Sequence, residues 1–369
     1  VQALIERLLF LQQYGNALDL DVRVLVSSLF SRIEADLRAR DPTIVTRRYR
    51  LGRRDQFMAR LRLRIRNWLP RFTSNIKDRL ATLGRLEGLR AYDTLVATLG
   101  TVDDALDVRY TPITESRMRA ILNTEPFQGR VLADHGKRLG TNIVDRVSVQ
   151  VRLGMVREES IDDIVRRIRG TKAGNGYRGG VMQTTTRDAQ ALVRTAVGYA
   201  SNRGQLDTFH ANADILDGVR YLATLDDRTT DICLSLDGEE WDLDDPAIVV
   251  PGRDTHYGCR SVLTPIIAWQ RLGLPEPPIP DRMARDLSTV SDADLERRIS
   301  ARRRSGSLGK VTRVPSGQVA SEWFRRQRPA VQNHMVGKGR ADLFRRGEIT
   351  LKDLITRDMR SVSLDALRN

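Results

Sequence analysis

Residues 221–241 read Y-L-A-T-L-D-D-R-T-T-D-I-C-L-S-L-D-G-E-E-W, and residues 256–265 read H-Y-G-C-R-S-V-L-T-P. Both cysteines of the chain, Cys233 and Cys259, lie in these two segments, with His256 and Trp241 beside them. What this stretch folds into decides whether the chain is wholly helical or α+β. The run V-R-Y-L-A-T-L-D follows Gly218, is short, and is rich in β-formers, which predicts a strand over 218–226. Asp237-Gly238 marks a turn, and Trp241 just past it is expected in the core of a small sheet. Asp226 and Arg228 are expected to form a charge-assisted pair that pins the turn after the strand.

Three chemistries suit these residues. Cys233, His256 and Cys259 are soft and borderline metal donors, and the His-x-x-Cys spacing lets two of them converge. A structural zinc site takes four protein ligands, so this set is one short unless Asp226, Asp231 or Asp254 completes it. A Cys233–Cys259 disulfide requires Cα atoms within about 7 Å. A nucleophilic site would use a cysteine with His256 as base, but neither cysteine reads as lying at a helix start, and residues three apart in a loop need not meet. Two half-buried thiols beside a hydrogen-bonded histidine are the plainest reading, with no cofactor, and zinc stands as the one candidate.

Outward from this centre the chain is mostly helical. Leu4, Ile5, Leu8, Leu9 and Leu11 give a first apolar face that Gly15-Asn16 interrupts, and Val26, Leu29, Ile33 and Leu37 mark a second helix over 22–40. Phe57, Leu61, Ile65, Trp68 and Leu69 outweigh the alternation of L-R-L-R-I-R and predict a helix, continuing to about Leu99 with weak points at Gly84 and Gly88. Arg60, Arg62, Arg64 and Arg66 fan around it, either as a phosphate-binding surface or as a solvated face. A further helical block spans 114–169: Gly154 ends one helix, and Ser160 with Asp163 caps the next. Gly174, Gly176 and Gly179 formally satisfy G-x-G-x-x-G, but a helix precedes them and the next starts only near Thr186, so a flexible loop is expected. The helix over 186–212 carries Arg194 and Thr195.

Past the central stretch, L-G-L-P-E-P-P-I-P reads as a linker. Residues 281–303 read as a charged helix, followed by a flexible segment and three short helical units. Pro329 starts one of these, Gly337 and Gly347 end others, and Thr350 with Asp353 forms a capping box. The organisation is α+β and predominantly α-helical. A helical N-terminal region (1–120) is read as making assembly contacts. A domain with a small antiparallel sheet (121–270), a proline-rich linker (271–282) and a basic helical extension (283–369) follow.

The 369 residues carry a formal charge of +14, from 61 basic and 47 acidic residues. Residues 271–369 hold 21 basic and 12 acidic residues, so most of the excess lies in the extension. That asymmetry favours an anionic partner bound through phosphate neutralisation. Arg302, Arg303, Arg304, Lys310, Arg325, Arg326, Arg328, Lys338 and Arg340 are the candidate nucleic-acid contacts. Aromatic residues make up only 5%, which argues against a protein built on base stacking. Two cysteines do not make a secreted disulfide framework, so assembly in a reducing cytoplasm is expected. No apolar run approaches the ~20 residues of a membrane span.

The order Asp226, Arg228, Thr229, Cys233, Leu236, Asp237, Gly238, then His256, Cys259, Arg260 and Pro265, resembles the signature of the phage Mu F-like minor head proteins. The Arg194-Thr195 pair is similar to one carried on the preceding helix of that family. The resemblance covers about residues 125–266, and the tail from Trp323 to Gly347 is similar to an extension in some members. It implies a low-copy virion component inside the head, assembled in the host cytoplasm, associated with the portal protein and in contact with packaged double-stranded DNA. Major capsid or scaffolding protein is a further partner it suggests. Thr230 and Ser261 stand where many members carry cysteines, which places the thiol-rich metal cluster that those members suggest in question here. Ala196 stands where many carry an acid. Two rival readings remain: a nuclease or transferase using Asp226, Arg228 and His256, and a DNA-binding protein with no place in a virion.

Overall fold

The computed structural model describes residues 2–39, 47–100, 108–174, 176–276, 281–300, 308–315, 317–356 and 358–368. Eleven α-helices and three small antiparallel sheets make up the described chain, an α+β fold dominated by helix. Two compact units are formed: Gln12–Thr82 with Glu115–Val197, and Val1–Leu11 with Leu83–Thr114 and Gly198–Asn369.

Helix α1 (Gln2–Arg38) is continuous, where two helices were expected. Gly15 lies inside it, and the buried stripe Leu18, Val22, Val26, Leu29, Phe30 and Ile33 carries the helix onward. A single glycine costs only about 1 kcal/mol, which that stripe outweighs. Helix α2 (Arg47–Leu99) runs unbroken for 53 residues, with Pro70 inside it. The Thr73 hydroxyl donates to the carbonyls of Leu69 and Pro70 beside the proline.

In the first unit, Phe72, Ile76 and Leu80 of α2 are buried, as are Met118 and Leu122 of α3 (Glu115–Thr124) and Ile143 and Val147 of α4 (Leu132–Val156). Helix α4 runs two residues past Gly154, where a Cβ would meet Ile164 at 2.4 Å, so this glycine makes room for α5 (Ile161–Arg169) instead of ending a helix. Ser160 caps α5 as expected, accepting from the Asp163 backbone N–H at 3.1 Å. Residues 170–180, expected as a flexible loop, form the hairpin β1 (Thr171–Ala173) and β2 (Gly176–Arg178). Gly170 and Gly180 have positive φ and stack backbone on backbone, so that α6 (Gly180–Ala211) starts at Gly180 and not near Thr186. A Cβ on Gly180 would lie 2.6 Å from Gly170 N.

In the second unit, the sheet has the order β4-β3-β5, with β3 (Leu216–Leu222) central, β4 (Glu240–Trp241) and β5 (Val262–Ile267). Tyr221 pairs with Leu263 and Val219 with Trp241. Trp241 is only half-buried, because the two-residue β4 is an edge and covers little. Against this sheet lies a buried polar hub. Arg7 donates to Glu87 at 2.8 Å, to Ser201 and to the Leu263 carbonyl, and Ser201 and Gln205 also donate to Glu87. Gly84 and Gly204 let α2 and α6 touch at the backbone, since a Cβ on Gly204 would lie 2.1 Å from the Gly84 carbonyl. The two glycines of α2 that read as weak points, Gly84 and Gly88, are therefore where a neighbouring helix crosses.

Residues 281–303, expected as one helix, contain strand β6 (Asp281–Asp286) and helix α8 (Asp292–Ser300). β6 pairs along its length with β7 (Lys310–Pro315), and Ala284 also bridges to Leu225 beyond β3. The helices α9 (Ala320–Arg325), α10 (Pro329–Val336) and α11 (Lys338–Arg346) follow, with Phe324 and Phe344 edge-to-face at 5.1 Å. Among the described residues no helix is long and apolar enough to cross a membrane.

Candidate functional site

The turn after β3 is built by Asp226, which takes a partner beyond the expected one. Arg260 forms a bidentate pair with it, at 2.6 and 2.7 Å. Arg228 contributes its backbone N–H, which donates to Asp226 Oδ1 at 2.9 Å, and the Thr229 hydroxyl also reaches that carboxylate. A fork-shaped guanidinium fits a carboxylate that an Asx turn already orients, whereas Arg228, two residues away on the same turn, can supply its amide directly. Arg260 thereby joins the loop before β5 to the turn after β3.

From this turn the chain enters helix α7 (Asp231–Leu236). Thr230 caps it, accepting from the Cys233 backbone N–H, so Cys233 lies in the first turn of a short helix after all. The capping pattern T-x-x-C was present in the sequence. Its brevity, a six-residue helix, hid it.

Cys233, His256 and Cys259 come together, with their donor atoms all within 4.8 Å of one another. His256 Nε2 lies 3.1 Å from Cys233 Sγ, and the two sulfurs are 3.7 Å apart and unbonded. The histidine thus meets the cysteine 23 residues upstream as well as the one three residues on. His256 Nδ1 donates to the Tyr257 carbonyl at 3.0 Å, which aims Nε2 at the sulfurs. The Tyr221 hydroxyl, buried at the centre of the sheet, touches Cys233 Sγ at 3.4 Å and Cys259 Sγ at 3.7 Å.

The electrostatics follow from that crowding. Hydrogen bonding from the Cys233 thiol, opposed by burial and helped by His256, holds Cys259 well below the ordinary thiol range. Cys233 is correspondingly pushed well above it by its hydrogen bond to Cys259 and by burial. Burial pulls the His256 imidazole down, but the hydrogen bond and charge of Cys259 bring it above its ordinary value. Burial also drives the Tyr221 phenol well above its usual range, so it is a neutral donor to sulfur. The cluster is walled on one side by a pocket of about 140 Å3. Cys233, His256, Arg228, Arg260, Thr230 and Ser261 line that pocket.

The remaining acids of the stretch are occupied. Asp237 accepts from both Nη atoms of Arg282 at 2.5 and 2.8 Å and from the backbone N–H groups of Ala223 and Ala320. Asp227 accepts from the Leu308 N–H, Asp231 pairs with Arg340 and Ser361, and Glu239 pairs with Lys352. Asp254 accepts from the Val250 N–H. Gly238 adopts positive φ beside Val319, as the expected turn requires. Sequence reasoning missed Arg282 altogether. A buried arginine, with 2% of its side chain exposed, leaves no mark in a charge-rich segment that reads as solvated.

Arg194 and Thr195 lie on α6. Arg194 pairs with Asp19 and the Thr195 hydroxyl donates to the Ala191 carbonyl at 2.7 Å. Of the candidate nucleic-acid contacts, Arg302, Arg303 and Arg304 fall outside the described residues. Lys310, Arg325, Arg326 and Lys338 are exposed, while Arg328 is half-buried and pairs with Asp292 and Arg340 is half-buried on Asp231.

Residues 145–264 match the family model described as Phage Mu protein F like protein, a span that runs from within α4 to within β5. No curated protein and no solved structure gave a match. Those residues form a phage Mu F-like domain, of a family associated with phage head morphogenesis.

Proposed function

We propose that this chain is a minor component of a bacteriophage head, present in low copy inside the capsid, associated with the portal protein and in contact with packaged double-stranded DNA. The match over residues 145–264 carries the reading, because it coincides with the segment whose Asp226–Arg260 pair and Cys–His cluster tie the sheet together. The charge of +14, concentrated past residue 270, supports a site against nucleic acid, and the exposed Lys310, Arg325, Arg326 and Lys338 are the described residues that would make it. Major capsid or scaffolding protein is the other partner proposed, with assembly in the host cytoplasm.

The enzymatic reading, a nuclease or transferase using Asp226, Arg228 and His256, has less support. Both Asp226 oxygens accept from Arg260, and that charge-assisted pairing stabilises the carboxylate and makes it a weaker base. Mass spectrometry of purified particles tests the proposal: the chain is expected at a few copies per particle, fewer than any shell protein. Its absence from particles would overturn the proposal in favour of a DNA-binding protein outside the virion. DNA cleavage that disappears in Asp226→Asn and His256→Ala would restore the enzyme.

A further inference from the structure

We infer that Cys233, His256 and Cys259 bind one zinc ion through three protein ligands, with the fourth position open to the adjoining pocket. The inference stands whether or not the chain is a head component. Zinc takes thiolate sulfur at about 2.3 Å and imidazole nitrogen at about 2.0–2.1 Å in a tetrahedron. Two sulfurs on one such ion stand about 3.8 Å apart, and sulfur and nitrogen about 3.5 Å. The two Sγ atoms are 3.7 Å apart, and His256 Nε2 is 3.1 Å from Cys233 Sγ. A disulfide would instead need about 2.05 Å between the sulfurs. The two sulfurs are thus spaced for an ion between them, and His256 Nε2 needs to move back by only about 0.4 Å from Cys233 Sγ to complete the geometry on the two chain segments that carry the ligands.

The surroundings serve the same end. A ligating histidine characteristically donates its other ring N–H to a carbonyl or carboxylate, which fixes the tautomer, and His256 Nδ1 does so to Tyr257. Tyr221 places a buried hydroxyl on both sulfurs, a donor that disperses thiolate charge. Two thiolates neutralise a divalent ion, so the bound set carries no net charge into a buried site.

The fourth ligand is not one of the acids in this stretch. Asp226 is held by Arg260, Asp231 by Arg340 and Ser361, and Asp254 by the Val250 N–H. Cys233 and His256 form part of the wall of the 140 Å3 pocket, which has room for a water molecule as the fourth ligand. Three protein donors and an open position distinguish this centre from the closed four-ligand sites that only hold a fold together.

The test uses the full chain, purified without a metal-affinity tag and passed over a chelating resin. Elemental analysis is expected to give one zinc per chain, and about a tenfold or greater loss in Cys259→Ser and in His256→Ala. Replacement with Co2+ is expected to give the near-ultraviolet thiolate-to-cobalt band and the intense visible bands of a tetrahedral site. Should a variant not fold, zinc release from the wild-type chain on titration with an organomercurial, followed with a chromogenic chelator, gives the same information: release in step with modification of two thiols supports the site. Folded wild-type protein that binds neither Zn2+ nor Co2+ would overturn the inference. So would zinc retained at the same stoichiometry in the Cys233→Ser/Cys259→Ser double variant, or an intact mass two daltons low from a Cys233–Cys259 disulfide in protein purified anaerobically.

Discussion

Replacing Arg282 by methionine removes one charge from a pair that is almost wholly out of water, with 2% and 1% of the two side chains exposed. Asp237 then keeps its two backbone donors, Ala223 and Ala320, but loses both Nη contacts. The Ala223 and Gln318 carbonyls lose a donor as well. Breaking a buried pair on one side costs about 3–5 kcal/mol, because the remaining charge is left uncompensated. Methionine fills much of the vacated volume, so little of that cost is cavity. In a unit of this size, each kcal/mol moves the melting temperature by about 2–4 °C, which gives a fall of about 6–20 °C. Asp237→Ala is expected to be worse, since it strands the guanidinium and two buried N–H groups at about 1–3 kcal/mol each. The assay is thermal unfolding followed by circular dichroism, with limited proteolysis to show whether cleavage begins after residue 281. A melting point within 2 °C of wild type for Arg282→Met, with no new cleavage, would refute the reasoning that this buried pair, which joins β6 to the turn at Asp237, is needed for stability.

Two glycines should respond with opposite signs. Gly204→Ala drives a methyl onto the Gly84 carbonyl and is expected to cost at least about 1–3 kcal/mol, whereas Gly15→Ala, with nothing within 4 Å of the new Cβ, should stabilise α1 by about 0.5–1 kcal/mol; denaturant midpoints decide both. Burial, opposed by the Phe127 carbonyl that Nε2–H donates to, holds the His135 imidazole below its ordinary value. Its contribution to stability is therefore complete above the unfolded pKa of about 6.5 and is lost as pH falls from there towards the folded value, so the melting point of His135→Gln should fall less steeply below pH 6.5 than that of wild type. DNA binding by the chain should be independent of sequence and fall by orders of magnitude between 50 and 200 mM salt, with Lys338→Gln reducing the slope by about one and Arg340→Gln lowering the melting point instead.

The helices were legible because three- and four-residue apolar steps recur over long windows, and α2 and α6 follow them closely. What failed were local signals overruled by neighbours distant in sequence. Gly84 and Gly88 weaken a helix in isolation, yet they are the contact surface for Gly204, 120 and 116 residues on. The segment D-R-M-A-R-D reads as charged helix, and becomes β6 only because β7 pairs with it and Asp237 takes its arginine. Asp226 and Arg228 are two apart and invite pairing, but Arg260, 34 residues later, brings the better geometry. The types and order of the Cys–His set were plain in the sequence, whereas the meeting of Cys233 with His256 depended on how the two loops return to Tyr221.

The acids of the central stretch wait for residues made much later. Asp237 needs Arg282, Asp227 needs Leu308, and Asp231 needs Arg340 and Ser361, at separations of 45, 81, 109 and 130 residues. On the ribosome the stretch therefore emerges without these distant partners, and the set is incomplete until residue 361 has been added. A chain cut short before Ser361 would lack at least one of these partners. Synthesis through residue 361 is thereby written into the stability of the domain, so that copies terminated before it are the ones left open to proteases.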